Sequence, residues 1–301
     1  MRPGDAGRLA LLASVWGSSY LFIKVALADL TPLQIVAARL GLGAAVLIVI
    51  SYLRHIDVLA TRSSLRPLIV MALFANIAPF LLITWGEERI STGLTAILNS
   101  TTPLFTAGIA AFVVPGERLS ALRVAGIVAG FAGVTVIVGG TGEPGAVIGG
   151  LAVVVASFSY GIGFVFARVR LTNRGHSILA LSTAQLFVAS VLLAPITVWD
   201  VIVHTPSVGA TPALSVGVLG AVGTGLAYIL YYRLVSDIGA TSASFVTYLI
   251  PIFGVALGFL VLDERIGWNT LVGALLVIAG IAIAERAPPA RARETVPPES
   301  L

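Results

Sequence analysis

The chain has 301 residues, of which 57% are hydrophobic and 11% are charged, and its mean hydropathy is +1.02. These values exclude an ordinary soluble globular domain and indicate an integral membrane protein. The net charge of +4 comes from basic residues placed as membrane topology signals, so we expect no nucleic-acid partner. Cysteine is absent, which excludes disulfides and thiolate chemistry, and we expect no metal or other cofactor.

Ten apolar segments in chain order match the length of about 20 helical residues that crosses a bilayer core. They cover residues 9–27, 33–53, 67–86, 93–114, 122–138, 148–167, 178–199, 214–232, 241–262 and 268–284. The predicted fold class is therefore an all-α polytopic membrane protein with ten transmembrane helices. Residues 1–8 are expected to be the N-terminus, 140–147 a loop outside the membrane, and 285–301 a disordered tail rich in proline and charge.

The arginines are distributed very unevenly between the two sides of these predicted spans. If the N-terminus is cytoplasmic, the inner segments hold 14 arginines and the outer loops hold only Arg89 and Arg265. Because cytoplasmic loops of membrane proteins carry an excess of basic residues, both termini are predicted to be cytoplasmic. The expected location is the cell (inner) membrane, with the lipid bilayer as surroundings.

The two halves of the chain resemble each other at an offset of 140 to 148 residues. The repeat pairs Tyr20 with Tyr160, Pro103 with Pro251, Glu117 with Glu264, Gly126 with Gly273 and Gly133 with Gly280. Each repeat, 9–139 and 148–284, holds five spans, and an odd number of spans predicts that the second repeat is inverted in the membrane. Inverted repeats are typical of secondary transporters, whereas a receptor or scaffold, the remote alternative, does not need one.

Several motifs in this order resemble one known family. They are WGSSY at 16–20, TPLQIVAARL at 31–40, two proline-containing helices followed by GER and DER, and glycine-rich fifth and tenth spans. Together they resemble the EamA-type ten-helix exporters of the drug/metabolite transporter superfamily, over residues 9–284. The resemblance implies a transporter, not an enzyme, that moves a small metabolite, an amino acid or a toxic compound out of the cytoplasm.

Polar residues inside the fourth and ninth spans are the first candidates for a substrate site. Thr92, Thr95, Asn99, Thr102 and Thr106 share one helical face beside Pro103, and Thr241, Ser244, Thr247 and Tyr248 form a similar face before Pro251. Lipid cannot satisfy hydroxyl groups, so these faces are predicted to line a central cavity or to join helices. The two prolines are predicted bend points, because proline removes a helical hydrogen bond.

Aromatic and charged residues complete the predicted site. Three aromatic pairs at helical spacing, Trp16 with Tyr20, Tyr160 with Phe164 and Tyr228 with Tyr231, are expected either to grip a substrate or to pack helices. Lys24 and Arg39 are the only charges within spans, and they either contact a substrate anion or reach the interface and helix-end carbonyls. The substrate-binding candidates are Trp16, Tyr20, Lys24, Arg39, Asn76, Asn99, Thr102, Tyr160, Tyr228 and Tyr248.

These features predict export of a small amphipathic metabolite, such as an amino acid, by alternating access. An exchanger of carboxylated or phosphorylated metabolites is the alternative, and it would make Lys24 and Arg39 essential. No acidic residue lies in the middle of a span, so facilitated movement, exchange, or coupling through Glu87, Glu88, Glu117 or Glu264 all remain open. The recurring glycines are predicted to allow close helix packing, either within the chain or in a homodimer.

Overall fold

A computed structural model describes residues 3–115, 117, 119–140, 144–171, 175–239, 243 and 245–285. Helices make up the fold, and no strand occurs within these ranges. The helices are α1 (Pro3–Ala26), α2 (Pro32–Leu53), α3 (Leu65–Ala72), α4 (Ala78–Glu87), α5 (Thr92–Asn99), α6 (Thr102–Val113), α7 (Ala121–Gly139), α8 (Pro144–Arg170), α9 (Ile178–Val203), α10 (Ala210–Gly220), α11 (Ala227–Ile238), α12 (Val246–Leu262) and α13 (Trp268–Glu285). The predicted tail after residue 285 and part of the predicted loop at 140–147 lie outside the described residues.

The helices agree with the predicted membrane spans in position and character. Among the residues that the structure describes, eight helical stretches are long and apolar enough to cross a membrane, and Val246–Leu262 and Trp268–Ala284 are shorter apolar helices. The chain is thus an all-α polytopic membrane protein. Helix α10 begins at Ala210, before its predicted start at residue 214, and α1 and α8 also begin earlier than predicted, at Pro3 and Pro144. Proline suits the first turn of a helix, where its missing N–H has no partner to lose, so α1 and α8 extend into the predicted terminal and loop segments.

Both halves contain a π-helical segment in the same place. Leu73–Ile77 joins α3 to α4, and Ala221–Leu226 joins α10 to α11, so the two segments begin 148 residues apart. The third and eighth predicted spans therefore share a rare backbone feature, which the sequence analysis did not predict. Single π-helical turns concentrate at functional sites, because they redirect side chains out of the regular helical pattern.

The glycine-rich helices α7 and α13 pack against each other within the chain. A Cβ atom on Gly126 would lie 2.5 Å from the carbonyl oxygen of Gly280, and one on Gly133 would lie 2.6 Å from that of Gly273. Only glycine allows the two backbones to come so close. The recurring glycines thus take part in internal packing, while a homodimer stays a prediction.

Glu117 and Glu264, which the internal repeat aligns with each other, lie near opposite ends of the fourth predicted span. This span is divided into α5 and α6, which are joined at Ser100 and Thr101. Glu264 binds the start of α5, where its carboxylate accepts hydrogen bonds from Thr92 N at 2.6 Å and Gly93 N at 3.1 Å. Glu117 lies beyond the other end, after α6. We call these two ends of the bundle the Glu264 end and the Glu117 end.

Candidate functional site

The polar stretch at the junction of α5 and α6 mostly satisfies its own backbone. Pro103 has no N–H to donate to the carbonyl oxygen of Asn99, one turn earlier. The Thr102 hydroxyl donates to that oxygen instead, at 2.8 Å. The hydroxyls of Ser100 and Thr101 donate to carbonyl oxygens three residues before them, at 2.6 Å and 2.7 Å. Of the four polar residues, Asn99 alone uses its side chain to bind other helices.

Asn99 connects α5 to α1 and α8. Its side-chain Nδ2 donates to the hydroxyl of Tyr20 at 2.8 Å, and the Ser157 hydroxyl of α8 lies 3.4 Å from its Oδ1. Tyr20 is buried, and Asn99 is partly buried. The structure thus brings together two predicted candidates from different spans, and a third polar residue, Ser157, joins them.

Two equivalent hydrogen bonds cross between the halves of the chain. Arg39 Nε donates to Thr224 Oγ1 at 2.9 Å, and Gln185 Nε2 donates to Asn76 Oδ1. Each donor lies on the second helix of one half, α2 or α9, and each acceptor lies in the π-helical segment of the other half. Equivalent positions in the two halves therefore also form equivalent hydrogen bonds. Asn76 extends the second pair, because its Nδ2 lies 3.5 Å from the hydroxyl of Tyr228.

Arg39 is a cation held among aromatic rings. It is 9% exposed, and its guanidinium lies 3.8 Å from the centre of the Phe80 ring. Tyr160 meets Phe80 edge to face at 6.3 Å and stacks on Phe164 at 5.5 Å. Among the described residues, no carboxylate lies within ion-pair distance of Arg39. A buried cation without a counter-ion is costly in a membrane protein, so the position marks a candidate anion site.

We call the residues around Arg39 the central polar cluster. It consists of Tyr20, Arg39, Asn76, Asn99, Tyr160, Gln185, Thr224 and Tyr228. The hydrogen bonds above join its members in pairs, and the three tyrosines all lie in the surroundings of Arg39. Its donors and acceptors come from both halves of the chain. Such a group can hold a carboxylate at the guanidinium and polar or apolar groups against the tyrosines.

The other candidates are placed differently. Trp16 packs on Tyr231, with ring centres 5.5 Å apart, and Tyr248 lies 6.1 Å from Phe245. Lys24 donates to helix-end carbonyl oxygens at the Glu264 end, those of Glu87 at 2.6 Å and Ile90 at 3.1 Å. Pro251 lies inside α12, and this helix continues past it. In the fourth predicted span, by contrast, the helix is interrupted just before Pro103.

Sequence reasoning did not select Gln185, Thr224 or Phe80. A signal for Gln185 was available, because aligning the second span with the seventh at an offset of 146 residues sets AARL at 37–40 beside TAQL at 183–186. That alignment places Gln185 opposite Arg39. The repeat also aligns Thr224 with Asn76, at an offset of 148 residues. Phe80 carries no polar group, so only the folded chain reveals its contact with the guanidinium.

A bundle of apolar helices in two related halves, with buried polar groups contributed by both, defines a polytopic membrane transporter. The EamA-like transporter family model matches residues 8–139 and 147–285. The chain therefore belongs to this family, within the drug/metabolite transporter superfamily, as its motifs indicated.

Full-length relatives carry transporter names. The chain is 27% identical to the uncharacterized transporter YoaV of Bacillus subtilis, over 89% of this chain and 91% of that one. It is also 27% identical to a probable amino-acid metabolite efflux pump of Escherichia coli, over 92% and 93%. A crystal structure covering 94% of this chain and 98% of its own superposes with a TM-score of 0.64 at 20% identity, which supports the fold alone.

Proposed function

We propose that the protein exports a small amphipathic metabolite with a carboxylate group, best represented by an amino acid, by alternating access. The observation that carries this proposal is Arg39, a buried guanidinium without a carboxylate partner among the described residues. A substrate carboxylate would accept charge-assisted hydrogen bonds from its remaining donors. The tyrosines of the central polar cluster would contact the rest of the molecule. The name of the Escherichia coli relative, a probable amino-acid metabolite efflux pump, is consistent with this substrate class.

The proposed orientation puts the Glu264 end outside and both termini in the cytoplasm. Two observations support it: 14 of the 18 basic residues fall in segments assigned to the other side, and Glu264 and Glu117 lie at opposite ends of the α5 and α6 pair. Opposite placement of equivalent residues is what an inverted repeat requires. The membrane would be the cell membrane.

Alternating access is supported by how the halves bind each other. At the Glu264 end, the Glu264 carboxylate accepts hydrogen bonds from the start of α5, and these bonds join the loop between α12 and α13 to the first half. The equivalent hydrogen bonds of Arg39 with Thr224 and of Gln185 with Asn76 also lie between the halves. Rocking one half against the other would expose these polar groups to either side in turn.

An exchanger of carboxylated or phosphorylated metabolites is the second candidate, and the same Arg39 favours it. The two functions differ in the charge of the substrate and in the chemical groups that it carries besides one anionic group. An amino acid presents one carboxylate with an ammonium group and a side chain, whereas a dicarboxylate or a sugar phosphate presents more negative charge. Lys24, which lies at the Glu264 end, is the other cation within a predicted span.

The test is counterflow in proteoliposomes that contain the purified full chain. We expect vesicles preloaded with phenylalanine to accumulate labelled phenylalanine, and we expect excess unlabelled phenylalanine to block this while its methyl ester, which lacks the carboxylate, does not. Arg39→Gln should strongly reduce counterflow at low phenylalanine concentration, and Arg54→Gln, which changes an exposed arginine at the end of the same helix, should not. Exchange of succinate or glucose 6-phosphate without amino-acid flux would establish the second candidate instead. No flux of any of these solutes would overturn both.

A further inference from the structure

Glu87 is a buried carboxyl group that the substrate site does not use. It ends α4 at the Glu264 end and is 0% exposed. Neither oxygen of its carboxyl group has a hydrogen-bond partner. The hydroxyl of Thr92, also fully buried, faces this group but is not in hydrogen-bond geometry with it. The structure thus holds an unpartnered carboxyl group in the interior, where polar groups are normally satisfied.

The charged and titratable groups around Glu87 compensate a negative charge there only in part: Lys24 and Arg39 favour it, and burial and Glu264 oppose it. Lys24 of α1 donates to main-chain carbonyl oxygens, including that of Glu87 itself, and not to its carboxyl group. Glu264, which is also acidic, acts on Glu87 from the segment before α13. The more distant groups that interact with it are Arg39 of α2 and Tyr20 of α1.

Within the described part of the chain, the other helices that pack against α4 bring no further charge to this end. The α5 helix contains no charged residue, and the arginines of α8, Arg168 and Arg170, lie at the Glu117 end of that helix. An ionised carboxylate without donors costs several kcal/mol when it is removed from water. A neutral carboxyl group avoids most of this cost.

Beside Glu87, the segment that follows α12 contacts the first turn of α5 and so joins the two halves. Asp263 adopts a left-handed conformation, with φ 53° and ψ 29°, where α12 ends, and the next residue, Glu264, binds the first turn of α5. Thr92 connects this contact to Glu87, because its N–H donates to Glu264 while its hydroxyl faces the Glu87 carboxyl group. We call Lys24, Glu87, Thr92 and Glu264 the outer gate.

We propose that Glu87 is a proton-binding group of the outer gate, neutral while the Glu264 end is closed and ionised when that end opens to water. This rests on the proposed function, which places the Glu264 end outside. In the closed state the carboxyl group is dry and retains its proton. Opening would hydrate it, and the proton would leave to external water. External acid therefore favours the closed gate, and external alkali favours the open one.

The test uses the natural lack of cysteine in this chain. Thr95→Cys places a single thiol at a fully buried position one turn inside Thr92, and a membrane-impermeant maleimide reports when it becomes accessible from outside. Ser207→Cys, at an exposed position, corrects for the pH dependence of the thiol itself. We expect corrected labelling in proteoliposomes to rise with external pH by up to about tenfold per pH unit, the linkage limit for one proton.

Two variants distinguish the effect of Glu87 on labelling from that of the neighbouring residue Glu88. In the Thr95→Cys background, Glu87→Gln keeps the group neutral and should give low labelling that does not change with pH. Glu88→Gln, one residue away in the partly exposed pair with Arg89, should keep the parent pH dependence. An unchanged pH slope in Glu87→Gln, or a lost slope in Glu88→Gln, would overturn the proposal.

Infrared spectroscopy provides a second readout that needs neither gating nor transport. The closed protein at neutral pH should show the carbonyl band of a buried, protonated carboxylic acid, absent in Glu87→Gln and present in Glu88→Gln. Absence of the band from the parent would overturn the proton site, whatever the transport assays show. Presence of the band with Thr95→Cys unlabelled at every pH would overturn the opening step and, with it, alternating access.

Discussion

Arg39 Nε lies 2.9 Å from Thr224 Oγ1, and this hydrogen bond joins α2 of the first half to the π-helical segment of the second. Gln185 and Asn76 form the equivalent bond in the opposite direction. A neutral amide therefore suffices to hold one such junction. The charge of Arg39 needs another reason, because burying a guanidinium costs more than burying an amide. A substrate carboxylate supplies that reason.

The first prediction replaces this charge with the residue that the other half uses. Arg39→Gln should fold, since glutamine can donate to Thr224 as Gln185 donates to Asn76, but it should weaken amino-acid binding at least about tenfold, the effect of losing one charged hydrogen bond. The measurement is the KM for counterflow together with the ligand-induced rise in Tm. Thr224→Val is the matched control: it removes the junction and keeps the cation, so its KM should change less. A wild-type KM in Arg39→Gln would remove Arg39 from the substrate site.

The second prediction concerns Lys24, the other cation within a predicted span. Its ammonium binds the carbonyl oxygens of Glu87 and Ile90, where α4 ends, so it stabilises that helix end. Lys24→Met keeps the length of the side chain and loses these bonds, which should cost about 1 to 3 kcal/mol of stability and lower Tm. The KM should stay near that of the parent. A raised KM with an unchanged Tm would instead make Lys24 a substrate contact, as an anion exchanger requires.

The positions of the helices were predictable because a bilayer imposes both length and apolar composition on each span. The break at Pro103 was predictable as a bend for a local reason, the missing N–H. The π-helical segments at 73–77 and 221–226 were not predicted, because the spans were located by their length and hydropathy. Those two properties carry no signal for one extra residue in a helical turn.

The candidate site was predicted in part, for a related reason. Tyr20 and Asn99 were both selected for their polarity within spans, and the fold brings them into contact. Glu87 was recognised only as an acid near a span end, because its complete burial results from how helices distant in sequence pack around it. Hydropathy along one segment cannot reveal that. The internal repeat is the one sequence signal that reaches between spans, and it is the signal that would have found Gln185.

The third prediction tests the glycine contact between α7 and α13. Gly126→Ala would place a Cβ atom 2.5 Å from the backbone oxygen of Gly280, and a backbone atom can yield only by moving the whole helix. The expected cost is about 1 to 3 kcal/mol, typical of overpacking. It should appear as a lower Tm and less monodisperse protein in detergent. Gly139→Ala, on the same helix with no atom within 4 Å of the new Cβ, is the matched control and should be neutral. Equal effects would contradict close packing as the role of Gly126.

The fourth prediction concerns the bond that closes the Glu264 end. Glu264→Gln keeps the shape of the side chain, but a neutral amide oxygen can replace only part of the two bonds that the carboxylate accepts from Thr92 N and Gly93 N. A loss of about 1 kcal/mol from the closed state corresponds to a roughly fivefold larger open population. Labelling of Thr95→Cys from outside, at one fixed pH, should rise by that factor.

Glu117→Gln is the matched control for this measurement. Glu117 also has two partners, Arg168 and Arg123, but it lies at the opposite end of the bundle. Removing its charge should leave the labelling of Thr95→Cys from outside unchanged or reduced, because it weakens no contact that covers this position. If both variants raised labelling equally, the effect would be a general loosening of the helices, and Glu264 would have no specific part in closing its end.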